Sequence, residues 1–145
     1  MNNRLLLSLA CVAGMAICQA RAFAADKDPA PGPAVIQQLM DKELVGVPGR
    51  ELLMLTVEYL PAGASLPHRH DAQVLVYVLQ GAVVMQVAGS PAVTLHQGET
   101  FYEGPDDVHV VSANASKTMP AKILVFIVKD KDKPVSRNAA ADAKP

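Results

Sequence analysis

The stretch GASLPHRH, residues 63–70, decides how the rest of this 145-residue chain is interpreted. In a β-strand, residues i and i+2 project from the same face, so His68 and His70 are expected to point the same way, with Arg69 on the other side. Two inward imidazoles are costly to bury unless their nitrogens are bonded, and a divalent metal ion meets that need. Because exposed or hydrogen-bonded histidines also explain an isolated HxH pair, the surrounding sequence has to decide.

The surrounding sequence has the texture of an all-β domain. Short runs rich in β-branched residues follow one another at roughly ten-residue spacing, and each ends in Gly, Pro or Asp, which is typical of a sandwich or a closed barrel. Residues 34–44 fit two structures: a helix in which Val35, Leu39 and Met40 share a face, or an edge strand that ends at the turn in residues 46–49.

Two motifs in this domain resemble those of the cupin superfamily. Residues 63–70, followed by YVLQG at 77–81, resemble the first cupin motif, and GETFYEGPDDVH at 98–109 resembles the second. The resemblance extends over about residues 51 to 128. It implies a single all-β domain with the double-stranded β-helix fold, a jelly-roll cupin barrel.

The resemblance also implies a metal site. His68 and His70 take the two early ligand positions of the family, and His109 takes the late one. Together they would bind one divalent transition metal ion (Mn, Fe, Ni, Zn or Cu) at the centre of the barrel. Asn114 lies near the family's terminal asparagine, one residue farther along than usual, and is expected only to form a turn. His96 matches no ligand position and is expected at the surface.

The carboxylate ligand of the family is missing. Its expected position is 74, where this chain has Val74, which cannot bind a metal. Gln73 is adjacent, but a shift of one residue puts it on the opposite face unless a bulge intervenes. Glu103 precedes the turn that leads to His109, and it is either an additional ligand or a solvated loop acid. Water in place of a fourth ligand would leave a neutral three-histidine site.

The ends of the chain are predicted to lie outside the barrel. Residues 1–24 have the layout of a secretory signal peptide: Arg4, an apolar run over residues 5–18, and small residues at Ala22 and Ala24. Cleavage is expected between Ala24 and Ala25, giving a secreted or periplasmic protein. Residues 25–33 are predicted to be a flexible lead-in, 34–128 the barrel, and 129–145 a disordered, solvated tail.

The composition after cleavage limits the possible functions. Both cysteines of the chain precede residue 25, so the remaining part has neither a disulfide framework nor a thiolate nucleophile. Residues 25–145 keep 11 of the 13 basic residues and all 14 acidic ones, a formal net charge of −3. That balance argues against nucleic acid and against an anionic membrane as partners.

Three functions fit these observations. The first is an exported metal-dependent enzyme on a small organic molecule, of the oxygenase or isomerase type found among cupins. The second is a module that binds or senses a small molecule without turning it over, and the third is a barrel kept only for structure. Fold alone does not decide among them. A homodimer is expected by resemblance, and covering an exposed edge strand gives a physical reason for one.

Overall fold

Alternating side chains build the core of the molecule. In the computed structural model, which describes Gly32 and residues 34–139, the strand over residues 73–80 buries Val74, Val76 and Val78 and exposes the residues between them. This period of two is the geometry of a pleated strand with one face in an apolar interior. The sequence prediction of β-structure therefore holds at the level of individual side chains.

Eleven strands make up the described part of the chain, and no helix long and apolar enough to cross a membrane occurs within it. The strands are β1 (Val35–Glu43), β2 (Arg50–Tyr59), β3 (Ala64–Ser65), β4 (His68–Arg69), β5 (Gln73–Gln80), β6 (Ala82–Val87), β7 (Val93–His96), β8 (Thr100–Glu103), β9 (His109–Asn114), β10 (Ala121–Asp130) and β11 (Arg137–Asn138).

The strands form two antiparallel sheets with the apolar core between them. One sheet has the order β1-β2-β10-β5-β8, and the other has the order β11-β4-β9-β6-β7 with β3 also paired to β9. Neighbours in each sheet are often distant in sequence, as in the pairing of β10 with both β2 and β5. This is the jelly-roll arrangement, and it confirms the predicted all-β barrel.

Residues 34–44 form an edge strand and not a helix. Strand β1 pairs with β2 along its length, with one irregularity between Gln38 and Met40. All nine residues of β1 are exposed. The apolar side chains that favoured a helical face in the sequence, Val35 and Leu39 among them, are therefore exposed at a sheet edge.

The segment after Val128 is not a solvated tail, so this prediction is wrong as far as the structure describes the segment, to residue 139. Strand β10 continues to Asp130, and Lys129 is buried, with its ammonium paired to Glu51 and donating a hydrogen bond to the carbonyl of Lys133 at 2.7 Å. Strand β11 then pairs with β4. The polar composition suggested a tail because it gives no sign of such long-range partners. The predicted signal peptide, the rest of the lead-in and residues 140–145 lie outside the described residues.

One row of apolar side chains crosses the outer face of the five-stranded sheet. Cross-strand pairing places Met40, Met54, Phe126, Leu75 and Tyr102 side by side, from β1 at one edge to β8 at the other. Leu75 and Tyr102 are exposed, although an outward sheet face in water is normally polar.

Candidate metal centre

Three histidines meet on the inner face of the six-stranded sheet. His68 on β4 and His109 on β9 are direct cross-strand partners, so their side chains lie next to each other on the same face. His70 follows two residues after His68, and the two ring centroids are 4.9 Å apart in an edge-on arrangement. The rings of His68 and His109 are 5.1 Å apart. The prediction that the HxH pair shares a face is confirmed.

Backbone carbonyls fix the orientation of two of the rings. The Nδ1 of His68 donates a hydrogen bond to the carbonyl oxygen of Leu66 at 2.7 Å, and the Nδ1 of His70 donates to that of Val135, also at 2.7 Å. A carbonyl oxygen can only accept, so Nδ1 carries the proton in both rings. With the proton on Nδ1, Nε2 has a lone pair available for a metal ion. Backbone carbonyls in this position are usual partners of histidines that bind metals.

His109 is buried, and its ring nitrogens lack hydrogen-bond partners among the described residues. Only 3% of its side chain is exposed, and among the described residues neither ring nitrogen has a hydrogen bond. The carboxylate Oε1 of Glu103 lies 3.1 Å from Nδ1, close enough for an ionic contact but out of line for a hydrogen bond. A buried polar atom without a partner is destabilising, and it points to a partner that the protein alone does not supply.

Glu103 is buried beside the histidines. It is 2% exposed, and in the pairing of β5 with β8 it lies directly opposite Val74. Its Oε2 is 4.0 Å from the Nε2 of His70, and its Oε1 faces His109. The side chain therefore points inward from β8, the strand next to β5, on which the resemblance to cupins led us to expect a carboxylate. A buried carboxylate is costly without a cation nearby.

The spacing of these groups fits a single divalent ion. The ligand atoms of His68, His70 and His109 all lie within 4.8 Å of one another. Nitrogen and oxygen ligands bind zinc at about 2.1 Å in a tetrahedral arrangement, which places two ligands of one ion about 3.4 Å apart. The 4.0 Å between Glu103 and His70 is slightly longer than this spacing, and the histidine nitrogens need to approach one another by about 1.4 Å at most.

The histidines line a cavity of about 420 Å³ inside the barrel. Its walls are mostly apolar and include Leu55, Val57 and Ile123. A group of hydroxyls also lines it: the Tyr59 hydroxyl lies 2.6 Å from the Ser112 Oγ and 3.3 Å from the Ser65 Oγ. This is the form of a small-molecule site, apolar with a few polar groups at fixed positions.

Burial shifts the protonation of two groups in the cavity. It lowers the pKa of His68, an effect only partly offset by the hydrogen bond to Leu66. Burial likewise raises the pKa of the Tyr59 phenol, against the opposing effect of the Ser112 and Ser65 hydrogen bonds. At neutral pH His68 is therefore an uncharged imidazole, and Tyr59 is a neutral hydrogen-bonding group.

Comparison with protein families identifies this arrangement. The family model described as "Cupin domain" matches residues 55–127, about half of the chain. The chain belongs to the cupin superfamily. The matched segment of this cupin contains His68, His70, Glu103 and His109, so all four inward groups belong to the family domain.

Several solved structures share the fold. A cupin domain from Bordetella pertussis Tohama I is 20% identical, with 69% of this chain and 97% of that one covered and a TM-score of 0.54. Oxalate oxidase in complex with the substrate analogue glycolate is 21% identical, with 83% and 62% covered and a TM-score of 0.58. The lyase DddQ, a DMSP lyase from Ruegeria pomeroyi DSS-3, is 17% identical, with 64% and 45% covered and a TM-score of 0.55.

Because the identities are low, these likenesses show the shared fold alone and carry no information about activity. The chain spans less than half the length of the lyase DddQ. No curated protein sequence matches this cupin.

The other candidate residues are placed as follows. Gln73 is exposed, and no bulge turns it inward beside Val74. The prediction that Gln73 could be an additional metal ligand is therefore wrong. His96 is exposed, as predicted, and Asn114 holds the turn after β9 by accepting a hydrogen bond from the Ser116 amide at 2.8 Å.

Two features of the site were not found from the sequence. The carbonyl of Val135 comes from the predicted tail, and backbone carbonyls leave no signal in a sequence. The cluster of three hydroxyls contains side chains from three separate strands, namely Tyr59, Ser65 and Ser112. The period-two pattern around Tyr59 indicates an inward side chain but does not indicate what it meets.

Proposed function

We propose that this cupin is a metal-dependent enzyme that acts on a small organic molecule held in the barrel cavity. His68, His70 and His109 would hold one divalent transition metal ion. The observation that carries the proposal is the buried Glu103 beside three converging imidazoles. Its two carboxylate oxygens lie 4.0 Å from His70 and 3.1 Å from His109, and a cation bound by the same rings would explain its burial.

Glu103 is proposed as the fourth protein ligand. It replaces the carboxylate that cupins carry at the position of Val74, and it enters the cavity from the adjacent strand. A carboxylate lowers the net charge of the centre from +2 to +1, which favours harder or more oxidised ions than three neutral imidazoles would. The Nδ1 contacts of His68 and His70 orient both rings whichever metal is bound.

The cavity indicates the class of substrate. Its volume of about 420 Å³ and its largely apolar walls suit a small molecule with an apolar body. The ion would supply Lewis acidity, or a site for O₂, at one side of the cavity. Tyr59 and Ser112 would hold a polar group of the substrate by hydrogen bonds. The fold shared with oxalate oxidase and a DMSP lyase is consistent with small substrates.

Metal analysis tests the centre directly. The purified protein should contain about one transition metal ion per chain by elemental mass spectrometry, and the His68→Ala, His109→Ala double variant should contain none. His96→Ala is the matched control, because His96 is exposed and should have no effect on metal content. Equal trace metal in the wild type and the double variant would remove the basis of the proposal.

A binding or sensing cupin is the alternative, and turnover separates the two. The metal-loaded protein would be incubated with mixtures of small molecules that have an apolar body and a polar group, with and without O₂, and products followed by mass spectrometry. An enzyme converts at least one compound, and the conversion is lost in Glu103→Gln. Retention of ligands at stoichiometric amounts without any product would assign the protein to the binding class.

We also propose that the protein is exported. The support is the order of charged, apolar and small residues over 1–24, which is that of a cleaved signal peptide. Intact-mass analysis of protein from a periplasmic or culture-medium fraction should give a chain that begins at Ala25. A chain that keeps Met1 in the cytoplasmic fraction would contradict export.

A homodimer is proposed on the outer face of the five-stranded sheet. The support is the apolar row from Met40 to Tyr102 and the exposed edge strand β1. Light scattering should give twice the chain mass, and Leu75→Glu should give the monomer with an unchanged fold. Thr94→Glu is the control, since Thr94 is exposed on β7 of the other sheet. A monomeric wild type would exclude this interface.

A further inference from the structure

Residues 131–139, called here the C-terminal clasp, follow β10 and return to β4, the strand that contains His68. Strand β11 within the clasp pairs with β4, so that Asn138 lies opposite His68 and Arg137 opposite Arg69. The amide of Ala139 donates a hydrogen bond to the carbonyl of Pro67 at 3.2 Å. The clasp therefore covers the short strand that carries the first metal-binding histidine.

The clasp also reaches the second histidine. Val135 packs against the hydrophobic core, and its carbonyl oxygen accepts the 2.7 Å hydrogen bond from the Nδ1 of His70. This contact sets both the tautomer and the direction of the ring. Residues 135–138 also line the cavity, so the same segment that orients His70 forms part of the cavity wall.

An ion pair next to His70 holds the clasp in place. Arg137 donates from Nε to one carboxylate oxygen of Asp71 at 2.5 Å and from Nη2 to the other at 3.0 Å. Such two-point pairing fixes geometry as well as charge. Asp71 has a φ of 50°, a left-handed conformation that only a few residue types adopt readily, so the chain turns sharply just after His70.

We propose that Asp71 and Arg137 are positioning residues of the metal centre, which latch the clasp so that the Val135 carbonyl holds His70 toward the ion. The inference rests on the proposed metal function. Opening the latch would free the Val135 carbonyl from His70 and expose β4. The exposed pair itself contributes little to the stability of the fold, so its main effect should be on how long the ion is retained.

Zinc release from the full chain tests the latch. Protein loaded with one zinc ion would be mixed with excess chromophoric chelator, and the release rate measured for Asp71→Asn, Arg137→Gln and the double variant. Each single variant should release zinc about tenfold faster, within the range seen when partners of metal ligands are removed. The double variant should add little, because both changes break the same pair.

Two further variants separate positioning from general destabilisation. Arg137→Lys keeps a positive charge beside Asp71, so it should release zinc more slowly than Arg137→Gln, and the cobalt(II) absorption spectrum should change less in Arg137→Lys than in Arg137→Gln. Lys122→Gln is the control. It breaks the ion pair between Lys122 and Glu58, in which the two side chains are 35% and 44% exposed. The exposed fractions are similar in the pair of Arg137 and Asp71, at 34% and 48%.

The outcomes distinguish this inference from the proposed function. A wild type that takes up no zinc overturns the metal centre and the latch together. A wild type that binds zinc, with both single variants releasing it at the wild-type rate or no faster than Lys122→Gln, overturns the latch alone. Faster release in both single variants, with Arg137→Lys closer to the wild-type rate than Arg137→Gln, supports the latch.

Discussion

Val74 and Glu103 are direct cross-strand partners on β5 and β8, and both side chains are buried. Opposed residues on antiparallel strands project from the same face, so a carboxylate at either position enters the same cavity. The chain thus has an inward carboxylate on β8, directly across from position 74 on β5, where the resemblance to cupins leads one to expect it.

This pairing predicts that a carboxylate at position 74 can replace the one at position 103. Glu103→Val should lower metal affinity by about 10- to 100-fold, because a ligand or a close partner of the histidines is lost. The double variant Val74→Glu, Glu103→Val should recover most of that affinity, since the new carboxylate occupies the partner position on the same face. Isothermal titration with zinc or manganese measures both effects.

Glu99→Val is the control for this exchange, because Glu99 is an exposed acid whose carboxylate contacts His96. Its metal affinity should equal that of the wild type. A Glu103→Val variant that binds metal as tightly as the wild type would show that Glu103 is neither a ligand nor a necessary partner of His109.

The sequence motifs predicted the histidine site well because each step was local. His68 and His70 share a face through the period of two, and the second motif places His109 at the start of β9. The choice between Gln73 and Glu103 was not local. It depended on which residue of β8 lies opposite Val74, and a strand pairing of that kind is not encoded in either strand by itself.

The two ends of the domain show the same limit. From sequence alone, residues 34–44 fit a helix or an edge strand, and the pairing of β1 with β2 decides for the strand. The clasp was predicted to be solvated because its polar composition has no apolar period. Yet it is held by the Arg137–Asp71 pair and the Val135–His70 hydrogen bond, which join residues far apart in sequence.

The buried ring of His109 and the carboxylate beside it should reduce the stability of the metal-free protein. The double variant Glu103→Val, His109→Leu replaces two buried nitrogens without hydrogen bonds, and the carboxylate 3.1 Å from one of them, by apolar atoms. The free energy of unfolding of the metal-free protein should rise by about 1–3 kcal/mol, while metal binding is lost. His109→Leu alone should not give this gain, because it removes a partner of the buried carboxylate. Urea denaturation in the presence of a chelator measures the change. His96→Leu should leave stability nearly unchanged, and a double variant less stable than the wild type would contradict the argument.

The lowered pKa of His68 predicts how the metal-free protein responds to acid. The unfolded chain protonates this ring near its ordinary value of 6.5, and burial in the folded state keeps the proton off until the pH is lower. Between the two values the unfolded state binds more protons, so stability falls as the pH decreases below about 6.5.

Denaturation curves between pH 7.5 and 5.5 measure this dependence. One proton contributes at most about 1.4 kcal/mol per pH unit, and the partial exposure of His68 should make its contribution smaller. His68→Gln should show a shallower loss of stability than the wild type, and His96→Gln should follow the wild type. Equal slopes for the wild type and His68→Gln would show that another group carries the dependence.

Asn114 is predicted to stabilise the fold without taking part in the metal centre. Its amide donates to the carbonyls of Leu60 at 3.0 Å and Met119 at 2.8 Å, and its Oδ1 accepts from the Ser116 amide at 2.8 Å. Asn114→Ala leaves these groups short of partners and should cost about 2–3 kcal/mol of unfolding free energy, at about 1 kcal/mol for each bond.

Urea denaturation and metal analysis check the two halves of this prediction. Asn114→Asp is the informative comparison, because it keeps the acceptor for Ser116 but loses both donors, so it should destabilise the protein as well. Folded Asn114→Ala should still contain about one metal ion per chain, since its contacts hold the end of β9 away from His109. Loss of the metal from a folded variant would place Asn114 in the centre after all, and a cost well below 1 kcal/mol would show that water replaces its bonds.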